Sequence, residues 1–378
     1  MKMKRQLKWA FSSLFILMPF IMHGHQEDNF ELSNEGYYIS EFVVHTNVDG
    51  KIDADYLGWF FNTTSLKFHQ KHSFNLSLLF THGGQPTSRS VGDLQYFTNI
   101  EVGLLYGLNE MYYKYESDVA WFKIGQQDIN MDFMFTENGL LFNHSSFGID
   151  PGTTLNLPAP TAPYVSLSLT GKVTMANIDF KIGVFDGQYA EERGSLLPVS
   201  WRLKKSEGLI YIIEPEFTWL KKQVTTKIGA LYHSGNFQNK NSGNTEKGLL
   251  SFHSISDFNF YQHDDRSYHL FYQINSSHKE VSDIDFYLGL GLRMEQPFKW
   301  AYQHELGFAM GHAHINSEKP ITDMSFNVKS ETALETTFKV SVSNWFAVQP
   351  YFQYIVFNEK ETDLKEPKIL GLRAHLNF

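Results

Sequence analysis

The chain of 378 residues contains no cysteine, so neither disulfides nor thiolate metal cages contribute to its stability. Beyond its N-terminal segment it has no apolar run near the ~20 residues that a transmembrane helix requires. It has no basic excess: 32 Lys and Arg stand against 41 Asp and Glu, which argues against nucleic acid as a partner. Stretches of helical period are nearly absent. So are a repeat of fixed period, a low-complexity tract and a Pro/Gly/Ser linker, which leaves one domain as the reading.

Catalytic signatures are missing as well. There is no Gly-x-Ser-x-Gly elbow, no phosphate-binding loop and no dinucleotide fingerprint. His304 and Glu305 open something like a zinc-protease pattern, but Phe308 stands where the second histidine is needed. His312 and His314 would share a strand face and supply two ligands of an incomplete metal site. No enzyme, cofactor or metal is called for.

What is present begins with an address. Lys2, Lys4, Arg5 and Lys8 precede an uncharged apolar run from Trp9 to Met22, the layout of a secretory signal peptide, with Gly24 the best position before a cut. We therefore expect residues 1–24 to be a signal peptide and 25–378 the mature domain. Removing four basic and no acidic residues takes the formal charge from −9 to −9 − 4 = −13.

Aromatic residues reach 16%, with 33 Phe and 19 Tyr, while mean hydropathy is only −0.31. Aromatic girdles with a polar interior give that combination in a transmembrane β-barrel, although a large soluble all-β protein shares it. Alternation adds weight. In 345–357 the even positions Phe346, Val348, Pro350, Phe352, Tyr354 and Val356 form one apolar face opposite Gln349 and Gln353. At the end of the chain Leu370, Leu372, Ala374, Leu376 and Phe378 oppose Arg373 and His375. Ile284, Phe286, Leu288 and Leu290 oppose Asp285 and Arg293, and Leu334 and Phe338 oppose Glu331, Glu335 and Lys339.

Connections alternate too. Breaks near 69–72, 116–119, 175–177, 220–222, 296–299 and 341–344 are tight, and those near 83–105, 130–163, 187–206, 235–248 and 313–328 are long. Short periplasmic turns and long outer loops belong to outer-membrane barrels, and the count is even, about sixteen antiparallel strands. The fold class predicted is an all-β transmembrane barrel. Pro350 sits awkwardly in such a strand, because it cannot donate to a ladder.

One stretch stands apart. Ile124 to Gly148 mixes Asp128, Asn130, Asp132, Glu137, Asn138, Asn143 and His144 with Phe133, Phe135, Phe142 and Phe147. It falls mostly in the third outer loop, and the reading is that it folds inward and constricts a pore. A lid packed over its own phenylalanines is the plainer alternative.

Three blocks resemble the carbohydrate-selective porins of the OprB type: Thr81 to Glu101, Lys123 to Gly148, and Glu331 to Val356 with the closing ILGLRAHLNF. The resemblance implies an outer-membrane barrel that lets sugars, glucose above all, diffuse into the periplasm. Substrate class comes from this likeness, not from periodicity. One departure is that Phe357 leads into NEKETDLKEP where such porins turn on a Pro-Gly-Gly-like motif.

Passive sugar transport needs donors and carboxylates for hydroxyls, aromatic faces for the ring, and binding weak enough for release. The candidate pore lining is Asp128, Asn130, Asp132, Glu137 and Asn138 in the loop. From the wall come Trp121, Lys123, Arg293, Glu305, Glu331, Glu335, Lys339 and Arg373. The plainer readings are charge ladders across neighbouring strands and, for Trp121, a place in the interface girdle. Expected partners are sugars and outer-membrane lipid, with a homotrimer left open and no nucleic acid. A porin for an organic acid, an outer-membrane hydrolase and an adhesive barrel with a plugged lumen are the alternatives.

Overall fold

The computed structural model describes residues 30–378 apart from 190–195, 198, 200, 202, 317–327 and 359–363. The signal peptide expected at 1–24 lies outside the described residues. The strands are β1 (Phe30–Thr46), β2 (Ile52–Phe68), β3 (His72–Gly83), β4 (Leu105–Glu116), β5 (Ala120–Gln127) and β6 (Ser166–Met175). They continue as β7 (Ile178–Asp186), β8 (Leu196–Leu197), β9 (Leu209–Trp219), β10 (Val224–Gln238), β11 (Thr245–His263) and β12 (Arg266–Ser277). The last are β13 (Ile284–Glu295), β14 (Gln303–Ile315), β15 (Ser330–Ser343), β16 (Phe346–Asn358) and β17 (Lys368–Asn377).

Each wall strand is antiparallel to the one before it, and β17 returns to β1 with Tyr38 opposite Leu376 and Phe42 opposite Leu372. The short β8 is parallel to β4 and stands outside the cycle, since β7 pairs directly with β9. Of the seventeen strands among the described residues, sixteen therefore close the barrel. Closure pairs the backbone of the edge strands, which is what a chain without cysteine needs in lipid.

Faces follow the alternation. Phe352, Leu370 and Leu372 are exposed on the outside, while Gln349, Gln353 and Arg373 are buried inside. Pro350 points outward, and the β15–β16 ladder skips it: pairing runs from Thr337 with Tyr351 to Val340 with Val348. Ile284 departs from the expected face. A bulge between Ile284 and Phe286 shifts the register, and the extra residue turns Ile284 to the interior, where it is fully buried.

The turns at the end where the described chain begins and finishes are short, such as 117–119 and 176–177, although 296–302 is longer than predicted. The expected long loop at 235–248 is mostly strand. β10 and β11 run into it and leave 239–244, closed by Asn239 Oδ1 accepting the amides of Asn241 at 2.9 Å and Ser242 at 2.8 Å.

The outer half of the lumen is not simply wet. Val43, Leu57, Trp59 and Leu79 of the wall pack against Val91, Leu94, Phe97 and Ile100 of the loop 84–104. Against β7, β9 and β10, Phe185, Ile210, Ile212 and Leu231 pack with Ile129, Phe133, Met134 and Ile149 of the loop 128–165.

Gly125 sends the chain into that second loop. Its φ is +143°, and a Cβ there would lie 2.3 Å from the Met111 carbonyl oxygen on β4. Gly125→Ala is expected to lose about 1–2 kcal/mol to backbone strain alone and more to the clash. Gly243→Ala, at φ +72° with nothing within 4 Å, is expected to lose only the first. Urea midpoints of the refolded proteins check the difference.

Candidate functional site

Loop 128–165 starts with Asp128, whose side chain accepts the amides of Asn130 at 2.7 Å and Ala162 at 2.9 Å. Asn130 Nδ2 in turn donates to the Phe133 carbonyl at 3.2 Å. A short helical turn, α1 (Pro151–Thr154), follows farther on. Between these points the chain runs irregularly and leaves amide N–H groups without backbone partners, which a buried segment must satisfy.

Carboxylates of the inner wall satisfy them. Glu110 on β4 accepts the Asp128 amide at 3.1 Å, and Glu214 on β9 accepts that of Met134 at 2.9 Å. Asp257 on β11 takes the Glu137 and Asn138 amides at 3.2 and 3.1 Å. Glu335 on β15 takes those of Asn143 and His144 at 2.8 and 2.9 Å. Side-chain donors of the wall hold carbonyls: Gln349 Nε2 donates to Leu141 O at 2.7 Å, and Tyr287 OH donates to Ser146 O at 2.9 Å. The loop thus crosses the lumen from β4 to β15. Loop 84–104 is pinned likewise, with Glu331 accepting the amides of Leu94 at 2.6 Å and Gln95 at 3.0 Å.

This corrects part of the sequence reading. Asp128, Glu331, Glu335 and Arg373 are buried, and their polar atoms serve the loops rather than an open lumen. Arg373 bridges Glu41 and Thr98, donating to the latter's hydroxyl at 2.8 Å. Asn130 is an internal brace of its own loop. Arg293 lies half-buried on the wall between Glu305 and Glu295, at 2.6 and 2.9 Å, with Lys339 opposite Glu305 in register. Burial pushes the Asp128 carboxyl up to about 6 and the His144 imidazole down to about 3.

Four of the candidates come together. Trp121, Asp132, Glu137 and Asn138 line a cavity of about 390 Å³ between the loop and β5–β11. Lys123 adjoins it, donating to both oxygens of Asp132 at 2.8 Å with its ammonium 5.1 Å from the Trp121 ring centre.

Sequence reasoning left out the far wall of this cavity. Lys172 pairs with Asp179 at 2.9 Å and Lys181 with Glu216 at 2.6 Å. Lys227 donates to the Phe135 carbonyl at 2.6 Å and sits 3.4 Å above its ring. Alternation along β7 and β9 turns Asp179, Lys181 and Glu216 inward, but nothing in the sequence says that the loop stops opposite them. His312 and His314 take separate partners, Thr332 and Asp285. A larger hollow of about 1010 Å³ lies on the outer surface among Leu270, Leu290, Phe308, Leu334 and Phe352, so it faces lipid.

The family model for OprB, the carbohydrate-selective porins, matches residues 63–378. The chain belongs to that family. It is an outer-membrane porin through which carbohydrate diffuses. No protein of curated function matches the chain by sequence. The fold is that of Pseudomonas putida OprB in its high-pH structure, at TM-score 0.79 and 17% identity, covering 98% of this chain and 97% of that one. Salmonella typhi OmpF in complex with daunomycin aligns at TM-score 0.55 and 12% identity over 94% of this chain and all of that one. The trimer form of Vibrio cholerae OmpT aligns at 0.54 and 9%, over 93% and 100%.

For a carbohydrate porin the cavity offers suitable chemistry. Its lysines and acids are largely paired, so it presents many donors and acceptors with little net field. A neutral polyol can exchange bonds with such a surface without binding tightly.

Proposed function

We propose that sugar passes through the cavity beneath the inward loop, with Trp121 and Phe135 offering ring faces and Asp132, Glu137 and Lys123 exchanging hydrogen bonds with hydroxyls. The supporting observation is the pairing of charges around two aromatic rings in one inward-facing space. An organic acid would be served better by unpaired cations. We take the chain to be a channel and not an enzyme.

The test is single-channel conductance of the refolded mature protein in a planar bilayer. Glucose is expected to reduce current at millimolar concentrations, and Trp121→Ala to raise the half-blocking concentration about two- to twelve-fold, equivalent to ~0.5–1.5 kcal/mol of stacking. Asp132→Ala is expected to weaken block as well. Open channels whose block is indifferent to both changes would move the path elsewhere.

We also infer a homotrimer. On the outward face of β1 and β2, Asn34 Nδ2 donates to Asn62 Oδ1 at 3.0 Å and Thr64 Oγ1 at 2.8 Å, flanked by the exposed apolar Leu32 and Leu66. Amides at such a place suit a protein neighbour better than lipid. The protein mass of the detergent complex, measured by light scattering, is expected to equal three chains; one chain would refute it.

A further inference from the structure

Loop 84–104 carries a group of oxygen atoms outside the sugar path proposed above. Asp93 is fully buried, and neither of its carboxylate oxygens makes a hydrogen bond of normal geometry. Glu101, 9% exposed, accepts the Thr87 amide through Oε1 at 2.9 Å and leaves Oε2 unbonded. The Thr87 hydroxyl, on a side chain 3% exposed, makes no hydrogen bond of normal geometry either and borders both carboxylates.

Within the loop, compensating charge is scarce. The only basic residue in 84–104 is Arg89, and it is turned away to Asp53 at 3.2 Å and Asp55 at 2.5 Å. Glu331 from β15 adds a third carboxylate close to Asp93 and has its own oxygens engaged by the Leu94 and Gln95 amides. Burial raises both the Asp93 and the Glu101 carboxyls, Glu101 to about 8, so charge here is costly unless something offsets it.

We propose that Asp93, Glu101 and Thr87 form a site for one hard divalent cation, calcium, which holds loop 84–104 inside the barrel. The donors are all oxygen, two of them anionic, and they sit on an irregular segment. That suits an ion accepting six to eight oxygen ligands in flexible geometry, waters included. The segment also has little to organise it internally: a single π-turn at Thr87–Val91, closed by the Gly92 amide on Thr87 O at 2.9 Å. Calcium would supply the positive charge that the loop lacks.

The experiment uses the refolded full-length mature chain in detergent, stripped with a chelator and titrated calorimetrically with CaCl₂. One Ca²⁺ per chain is expected, with Kd on the order of 10⁻⁴–10⁻³ M, as in extracellular modules. The unfolding temperature should rise with the ion. Asp93→Asn, nearly the same shape, is expected to weaken binding at least ~10-fold by removing an anionic ligand, and Asp53→Asn to leave it unchanged. If Asp93→Asn does not refold, Glu101→Gln carries the same expectation. Absence of both binding heat and thermal shift would overturn the site, leaving protonated acids in its place. Binding lost in Asp53→Asn but kept in Asp93→Asn would overturn it equally. Neither result bears on the proposed sugar path, whose cavity lies against β5–β11.

Discussion

Glu335→Ala is expected to release the inward loop and turn a narrow channel into a wide one. The carboxylate accepts the Asn143 and His144 amides, Asn143 Nδ2 at 3.0 Å and Gln353 Nε2 at 2.9 Å, all in a buried setting. Alanine would strand at least the two backbone donors, at about 1–3 kcal/mol each. That is enough to move a segment whose grip on β15 consists mainly of this residue. Conductance should rise several-fold, and chymotrypsin should cut within 124–148, a stretch rich in phenylalanine and without Lys or Arg. Unchanged conductance together with unchanged cleavage would show that Glu335 is no anchor.

The second large effect is on acid response. His144 is fully buried and neutral, with its Nδ1 2.8 Å from the Ser146 hydroxyl, and its pKa is depressed from 6.5 to about 3. A depressed value in the folded state means stability that is present above pH 6.5 and lost as pH falls toward 3, at about 1.4 kcal/mol per unit. Asp128 works the other way. Its carboxyl is raised from 3.8 to about 6, so the loop gains stability as pH falls between those values, and Asp150, also raised by burial, adds in the same sense. These two effects oppose each other between pH 6 and 3.8. Removing one unmasks the other: His144→Gln is expected to make the loop tighter on acidification, and Asp128→Asn to make it looser. Chymotrypsin cleavage rates followed from pH 7 to 4 read both, and identical profiles in the two variants would refute the assignment.

The barrel was legible in the sequence because a two-residue period has only two answers per strand, and long apolar faces such as 346–356 and 370–378 leave one. It failed at Ile284, where one bulged residue reversed the answer without leaving a pattern behind. The candidate site was less legible. Period placed Glu335 and Glu331 inward, and inward they are, but what meets them there comes from backbone N–H groups of distant loops, and amides have no letter of their own. Phe133 and Phe135 show the same limit. They are two residues apart in one loop, yet the first is fully buried against Phe185 and the second lines the cavity under Lys227.

The apolar clusters inside the barrel bear on how the protein is made. Each cluster has one half on wall strands and the other on a loop, so neither half is a core until the wall has closed around it. A cylinder closed before its loops are seated would be a wider hole than the finished channel, and a freshly inserted chain would leak solutes that the mature one excludes. Time-resolved dye release from vesicles during insertion should therefore show a burst that declines as the loops dock, even while the strand signal stays constant.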